Sequence, residues 1–463
     1  GGFTEFFDTR LRGPLALHTE VITAAHDSWF DGRCRTQCND RAGKVVKPQP
    51  KAPNFKGTTK GWVEKSVFFA VPERAHILEI MPCLFQAASG TLDIAQCEIF
   101  TAQTDQLPPP PPMVPSETLS IPPDAQLPPP LKVVGNQLQT PDGKPVWLQG
   151  VCVDSLQWSA GGERILTSIP VAIDQWHANV IRLPVKENFW YGWGPWQGKD
   201  NGMAYRKLVD DAIATAASRG AYLVLDLHQF GAPNAKHVAF WKDAATRYKN
   251  HPAVLFELFN EAHSISWKTW KDGGNIRDDE STDVNAKENN ETATSEQTPG
   301  MQALIDAVRS TGANNVVIVG GLDWGYDLSG LAQGFELKDT AAGRGIVYSS
   351  HIYPWKKDWQ GKMLVAAEKH PIFIGEVGCP DSWDSFSFIP ESGRQEKLGP
   401  GCPWPADMLG LIQKHKLHWT GFSFHPKSGP PILQDWDYTP TPYWGAYVKE
   451  ALDGKQFEMK AMR

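Results

Sequence analysis

Two glutamates, Glu261 and Glu376, are the residues of this sequence best suited to chemistry. Glu261 lies in VLFELFNEAH, and Glu376 lies in FIGEVG, 115 residues further on. Each follows a short apolar run of the kind that forms a buried strand. When two carboxyl groups lie close together, repulsion between their charges raises the pKa of one, so one is protonated while the other is ionised. Such a pair can supply an acid, a base and a nucleophile.

Other polar side chains also stand at the ends of apolar runs. They occur in VIRLP, LDLHQ, SSHIYPW and FSFHP, and an asparagine precedes Glu261. A single residue of this kind is usually a structural hydrogen-bonding group, but a set at six strand ends indicates a site. Glu257 is a competing carboxylate, although its place within a strand predicts a structural role. The candidate binding residues are Arg182, His228, Asn260, His351, Tyr353, Trp355, Phe424 and His425.

The elements that must position these residues are short strands alternating with amphipathic helices. Eight strands in this alternation predict an α/β fold, a closed (β/α)8 TIM barrel, which carries its chemistry at the carboxyl ends of the strands. A doubly wound open sheet is the alternative, but the first strand reads GVCVDS and lacks the glycine pattern of a phosphate site. The predicted strands are 146–151, 178–183, 221–227, 253–259, 315–319, 345–349, 371–375 and 419–424, and the clearest helices are 205–219, 240–249, 301–310 and 408–416.

A change in composition divides the 463 residues. Residues 105–130 contain 11 prolines and repeat QLPPP, which predicts an extended polyproline linker. Before it, residues 1–104 carry strand-like runs at 66–71, 75–80, 90–94 and 95–100, typical of a small all-β sandwich. Residues 131–463 form the predicted barrel domain. Within it, the polar, acidic stretch 272–299 is expected to be a surface insertion.

Composition excludes several classes of function. The 45 basic and 52 acidic residues give a net charge of −7, which argues against a nucleic-acid partner. No apolar run is long enough to cross a membrane. Seven cysteines without a Cys-x-x-Cys pair, and the lack of His-x-His or His-Glu-x-x-His, predict neither a metal nor another cofactor. The 19 tryptophans suit stacking on flat ligands such as sugars.

The motif VLFELFNEAH, with LDLHQF upstream and HIYPW and FIGEVG downstream, resembles glycoside hydrolase family 5 over residues 131–455. The resemblance implies a retaining hydrolase in which Glu261 is the acid/base and Glu376 the nucleophile. It further implies orientation of Glu376 by Arg182 and Tyr353, contact of Asn260 with a sugar 2-hydroxyl, and His228 and His351 at the cleaving subsite.

The chain departs from this family near the end of strand eight, where a tryptophan usually lies under the sugar. Here the stretch reads HWTGFSFHPKSGPP, which leaves Phe424 or His425 in that region. Among the tryptophans near other strand ends, Trp355 is the best candidate for stacking. At the other end of the chain, VPERAHILEIMPCLFQAASGTLDIAQCEIF resembles jelly-roll modules that accompany bacterial polysaccharide-degrading enzymes.

The combined interpretation is a secreted or periplasmic β-glycanase that needs no cofactor and has a polysaccharide or oligosaccharide as its partner. β-1,4-Glucan is the expected substrate, with β-mannan as the alternative. A carbohydrate-binding protein with an inactive barrel and a metal-dependent hydrolase are hypotheses of other classes. Cys379 and Cys402 are predicted to form a disulfide beside the nucleophile, and Cys83 with Cys97 is a second candidate pair.

Overall fold

We describe the protein from a computed structural model. The structure describes residues 117–463 except 122–125, 194–196, 198–199, 277–296, 340–342 and 387–388, together with the amino-terminal segments 14–25, 31–39, 54–56, 61–70, 77–85 and 90–101. The chain divides into two compact units, residues 1–111 and 112–463.

The described residues of the first unit are antiparallel strands. They form two three-stranded sheets, in the orders β4-β1-β6 and β3-β2-β5. The strand content agrees with the sequence expectation, and one continuous strand, β6, covers both 90–94 and 95–100. Cys83 and Cys97 lie in β5 and β6, in residues whose side chains are outside the described set. The strands are β1 (Pro14–Ala25), β2 (Asp31–Asn39), β3 (Asn54–Lys56), β4 (Val63–Ala70), β5 (Ile77–Phe85) and β6 (Gly90–Thr101).

The second unit begins with a small sheet and continues into a closed barrel. The small sheet consists of β7 (Lys132–Val134), β8 (Gln137–Gln139) and β9 (Pro145–Val146). The barrel strands are all parallel, and pairing of the first with the last closes the ring, which confirms the (β/α)8 prediction and rules out the open sheet. They are β10 (Gln149–Cys152), β11 (Val180–Val185), β12 (Tyr222–Leu227), β14 (Val254–Glu257), β18 (Val317–Gly320), β19 (Ile346–Ile352), β20 (Ile372–Val377) and β21 (His418–Gly421).

Short strand pairs and helices complete the unit. Four two-residue strands are β13 (Phe230–Gly231), β15 (Glu261–Ala262), β16 (Gly274–Asn275) and β17 (Gln297–Thr298). The α-helices are α1 (Ile165–Asp174), α2 (Glu187–Trp190), α3 (Met203–Ala217), α4 (Ala235–Arg247), α5 (Trp267–Asp272), α6 (Gly300–Ser310), α7 (Val365–Ala367), α8 (Trp404–His415) and α9 (Trp444–Leu452). Shorter 3-10 turns span Ser155–Gln157, Asp384–Phe386 and Glu391–Gly393, and π-helical turns span Leu331–Phe335 and Gln360–Leu364.

The two-residue period of a strand decides which side chains enter the barrel. Val180, Val224 and Leu255 belong to a buried cluster that also contains Leu131 and Leu138 from the small sheet. Two residues further along the same strands lie Arg182, Asp226 and Glu257, so the period of two places these charged groups on the same side as that cluster. Their neighbours Ile181, Leu183 and Leu225 belong to the cluster shared with the helices. The charged layer therefore lies toward the carboxyl ends of the strands.

The second half of the proline-rich segment runs along the barrel rather than free of it. The Leu119 backbone N–H donates to the Arg247 carbonyl at 2.8 Å, and Arg247 Nη1 donates to the Glu117 carbonyl at 3.0 Å. Further on, the Tyr222 hydroxyl donates to the Pro129 carbonyl at 2.8 Å. Because backbone groups of this second half bond to barrel residues, it is not the free spacer that was expected over all of 105–130.

The acidic insertion 272–299 lies mostly outside the described residues. Its two ends pair as the antiparallel strands β16 and β17, which returns the chain to the point of departure before α6. Among the residues that the structure describes, no helix has the length and apolar character needed to cross a membrane.

Candidate active site

Arg182 is the centre of the charged layer inside the barrel. Its Nε lies 2.6 Å from Glu257 Oε2, its Nη1 lies 2.8 Å from Glu376 Oε1, and its Nη2 lies 3.0 Å from Asp226 Oδ2. The same Nη2 donates to Asn260 Oδ1 at 2.7 Å. The arginine is fully buried. Since a planar guanidinium offers its donors in a fixed fork, these contacts hold the acidic side chains in one geometry.

Glu376, at the end of β20, is held in the ionised form. Each carboxylate oxygen has its own donor, because Arg182 binds Oε1 and the Tyr353 hydroxyl donates to Oε2 at 2.6 Å. Burial by itself raises the pKa of Glu376, but the charges of His351 and Arg182 outweigh burial and bring this pKa below its usual range. An ionised carboxylate with a fixed orientation is suited to nucleophilic attack.

Glu261, just beyond the end of β14, has the opposite shift. Burial raises its pKa, and the negative charge of Glu376 raises it further, although a hydrogen bond with His351 partly offsets both. His351 Nδ1 lies 3.0 Å from Glu261 Oε1. One oxygen of Glu261, one oxygen of Glu376 and a ring nitrogen of His351 all lie within 4.8 Å of one another. The two glutamates therefore face each other across a space that a reacting atom can occupy.

Other buried groups support this pair. His228 Nδ1 lies 2.8 Å from Asp226 Oδ2, and burial brings the pKa of His228 well below its usual value, so the ring is neutral. Burial raises the pKa of Glu257, but the charge of Arg182 together with the hydrogen bond and charge of His351 outweighs burial and lowers this pKa to about 2. Glu257 is thus a buried anion paired with Arg182, in keeping with the structural role expected from its place in the strand.

Asn260 presents an unused donor. Its Oδ1 accepts from Arg182, which fixes the amide so that Nδ2 points away from the guanidinium. Among the described atoms, the buried Nδ2 has no hydrogen-bond partner. A buried donor without a protein partner is costly unless a ligand or water meets it. The amide is therefore placed to donate to a hydroxyl group bound between the glutamates.

The structure differs from the sequence expectation at the end of strand eight. Phe424 is 1% exposed and packs in the core, edge-on to Trp176 at 5.0 Å and stacked with Tyr438 at 5.8 Å. It does not line the site. Phe422, which the sequence reasoning passed over, donates its backbone N–H to Val377, next to Glu376, and belongs to neither core cluster. The two-residue period from the interior-facing Thr420 indicates Phe422, but it indicates Phe424 equally, so the sequence alone does not separate the two.

The tryptophans fall into two groups. Trp355 is half-buried and stacks on Tyr353, with ring centroids 4.8 Å apart and planes 4° apart, so one face is already covered. On the acid/base side, the half-buried Trp324 stacks on His263 at 3.7 Å. By contrast, Trp190 is fully buried and donates to Asp243, which makes it a core residue.

Cys379 and Cys402 lie close together as buried free thiols. Burial and the neighbouring Cys402 thiol raise the pKa of Cys379, and Cys379 Sγ lies 3.1 Å from the Tyr443 hydroxyl. The predicted disulfide is not formed in this structure, and the pairing stays a prediction. Within the described part of the chain, the one group of three possible metal ligands is Glu261, His351 and Glu376, which is the site itself.

The fold and this site define a (β/α)8 barrel protein with two facing glutamates at the carboxyl ends of its strands. The family model of cellulase (glycosyl hydrolase family 5) matches residues 140–428, and the chain belongs to that family.

Curated relatives include an endoglucanase of Clostridium saccharobutylicum, 25% identical over 342 residues, which cover 70% of this chain and 65% of the relative. Endoglucanase A of Butyrivibrio fibrisolvens is 25% identical over 263 residues, covering 54% of this chain and 52% of the relative. The chain thus spans between about half and two thirds of the curated relatives it matches.

Solved structures with the same fold include the β-glucanase SdGluc5_26A from Saccharophagus degradans, with a TM-score of 0.54 and 22% identity over 76% of this chain and 98% of that one. The catalytic domain of Thermobifida fusca endoglucanase Cel5A has a TM-score of 0.50 and 20% identity over 70% of this chain and 97% of that one. At this level of identity, the likeness establishes the fold.

Proposed function

We propose that this protein is a retaining glycosidase that hydrolyses β-1,4-linked glucan. The observation that carries the proposal is the facing pair Glu261 and Glu376, with oxygens within 4.8 Å and pKa values shifted in opposite directions. Retaining glycosidases hold their carboxyl groups about 5–5.5 Å apart, whereas inverting enzymes need about 6.5–9.5 Å to admit a water molecule. The spacing here supports the retaining class.

The reaction proceeds in two displacements. In the first, the ionised Glu376 attacks the anomeric carbon while the protonated Glu261 gives its proton to the leaving oxygen. Arg182 and Tyr353 hold the attacking carboxylate, and Asn260 is placed to bind a sugar hydroxyl. In the second, Glu261 takes a proton from water, which attacks the same carbon and releases Glu376. Two inversions leave the product with the configuration of the substrate.

Glucan is favoured as the substrate because of the relatives and of the aromatic rings near the site. The curated relatives named above are endoglucanases, and the Saccharophagus degradans β-glucanase has been crystallised with cellotetraose. Trp324 stacks on His263, two residues after Glu261, and Trp355 stacks on Tyr353, which binds Glu376; aromatic rings suit the flat faces of β-1,4-linked glucose. β-Mannan differs from this glucan at the 2-hydroxyl and is the second candidate.

A substrate panel with product analysis tests the proposal. We expect soluble cellulose derivatives and cello-oligosaccharides to be cleaved faster than mannan, and proton NMR to detect the β-anomer of the fresh product first. A chelator is expected to leave the rate unchanged, because no step uses a metal. Faster cleavage of mannan would change the substrate assignment. An α-anomer as the first product would contradict the retaining mechanism, and the absence of turnover on every glycoside would favour the binding-protein hypothesis.

For the amino-terminal unit we propose a jelly-roll module that binds carbohydrate and folds independently of the barrel. Its two antiparallel sheets and its separation from residues 112–463 support this. A chain beginning at Pro112 keeps the contacts of Glu117 and Leu119 with Arg247, so it is the better truncation than one beginning at Leu131. We expect it to retain kcat/KM on a soluble substrate within about twofold and to bind insoluble cellulose less. An insoluble or inactive truncation would make the unit a structural partner of the barrel.

We also propose that the protein acts outside the cytoplasm, since polymeric glucan cannot enter cells. In an oxidising compartment, Cys379 and Cys402 would lose two protons and two electrons and form the predicted disulfide. The closeness of the two thiols, each of which affects the pKa of the other, supports this pairing. Peptide mapping without reduction detects it.

A further inference from the structure

Glu163 joins two loops on the side of the barrel away from the acid/base glutamate. The Trp158 indole N–H donates to Glu163 Oε1 at 2.9 Å, and His425 Nε2 lies 2.9 Å from Glu163 Oε2. Trp158 follows the first barrel strand, β10, and His425 follows the last, β21. One carboxylate, with its side chain 11% exposed, therefore fixes an aromatic residue from each loop.

The hydrogen bonds around His425 define which ring nitrogen carries the proton. The backbone N–H groups of Lys427 and Ser428 both donate to Nδ1, at 3.0 and 3.2 Å. Nδ1 is thus an acceptor, and Nε2 carries the hydrogen that is donated to Glu163. Although burial raises the pKa of Glu163, the bonds from His425 and Trp158 bring it below its usual value. A charged acceptor that receives two donors makes stronger hydrogen bonds than a neutral one.

This cluster lies across the barrel from the acid/base. In the ring of strands, β21 is four places from β14, which leads to Glu261, and β10 is beside β21. Because Glu261 protonates the leaving sugar, the leaving half of the substrate lies on its side, and the half retained on Glu376 extends the other way. Cys152, in β10, contacts Arg182 at 3.8 Å, which links this side of the barrel to the nucleophile.

Trp158 is 41% exposed, whereas most of the barrel's large rings are buried. An exposed indole whose N–H is already bonded presents a flat apolar surface in one orientation. We propose that Glu163 is a positioning residue: held by the buried His425, it fixes the exposed Trp158 as a wall for the glucosyl units that lie beyond the one attached to Glu376. This inference rests on the proposed glucanase function and adds the residue that controls binding of the retained half of the chain.

The test compares aryl β-glycosides that share one leaving group and carry one, two or three glucosyl units. In E163Q the amide has a single acceptor oxygen, and its N–H group meets the N–H of His425, so one of the two bonds is lost. We expect the ratio of kcat/KM for the cellobioside to that for the glucoside to fall about tenfold, mainly through KM. W158F keeps an aromatic ring but has no N–H to donate to Glu163, and it is expected to lower the same ratio. The double variant E163Q/W158F is expected to lower the ratio no more than E163Q alone.

E450Q is the matched control, because it removes an exposed carboxylate of helix α9 that pairs with Lys455. It is expected to leave the ratio unchanged. An equal loss on every chain length in E163Q, or additive losses in the double variant, would overturn the positioning role. Failure of E163Q to fold leaves W158F as the deciding variant. If the wild type cleaves none of the aryl glycosides, the proposed function itself fails.

Discussion

Replacing Glu376 with glutamine is expected to reduce kcat by at least about four orders of magnitude. The amide is nearly the same size and can still accept from Arg182 Nη1, but it is uncharged and a poor nucleophile toward the anomeric carbon. The loss should appear equally on glucan and on activated aryl glycosides, because both form the glycosyl-enzyme through Glu376. Steady-state kinetics with 2,4-dinitrophenyl β-cellobioside measure it.

A matched control is available one layer deeper in the barrel. Glu257 is also buried and pairs with Arg182 at 2.6 Å, yet in this mechanism it does not touch the substrate. E257Q is expected to lose less activity than E376Q. A Glu376→Ala variant leaves space for azide, which can replace the missing nucleophile, so added azide should restore turnover and yield an α-glycosyl azide. Azide should not raise the activity of E257Q. Substantial activity in E376Q, or azide rescue at Glu257 instead, would contradict the assignment of the nucleophile.

Replacing Glu261 with alanine is expected to slow cleavage between sugars by about 10²–10⁴-fold. A sugar is a poor leaving group and needs the proton, whereas 2,4-dinitrophenolate leaves without help. The first step on the dinitrophenyl cellobioside should therefore be nearly unchanged, and the glycosyl-enzyme should accumulate because the second step lacks its base. A burst of dinitrophenol followed by slow turnover, seen by stopped-flow absorbance, is the expected record.

The pH profile gives a second check on the same residue. The pKa of Glu376 is lowered, so kcat/KM rises as the pH increases through a value below the usual glutamate range. The pKa of Glu261 is raised, so the proton needed by the leaving sugar is retained to higher pH and is then lost as the pH rises through that value. Glu261→Ala should abolish the alkaline limb and keep the acid limb. An unchanged alkaline limb would assign the acid to another group.

The barrel could be predicted because strand and helix patterns are local. The runs around 180–185, 222–227 and 372–377 carry enough apolar residues to identify buried strands, and on the first two strands the period of two places Arg182 and Asp226 inside. Glu376 is brought inside by a register shift where β20 pairs with β19 and β21, which this period does not predict. The strand ends then indicate the site, because parallel strands in a closed barrel all end at the same opening. For this reason the sequence alone points to Glu261, Glu376 and Arg182 as site residues.

The exceptions have a physical cause as well. Phe422 and Phe424 are equally plausible by composition and by the two-residue period, and only the packing against Trp176 and Tyr438 places Phe424 in the core. Similarly, the proline-rich stretch predicts an extended chain, but it does not encode the attachment of residues 117–119 to Arg247.

The sequence by itself determined the order of strands and helices, the residues at the strand ends and the pair of glutamates. Tertiary structure alone decided which carboxylates share Arg182 and which of the two glutamates, Glu261 or Glu376, has the raised pKa. It also decided that Glu163 contacts His425, although 262 positions separate them. The reason is that these contacts exist only once β10 pairs with β21 and the ring closes. Hydrogen-bond partners and burial then set each charge, and neither is a property of the local sequence.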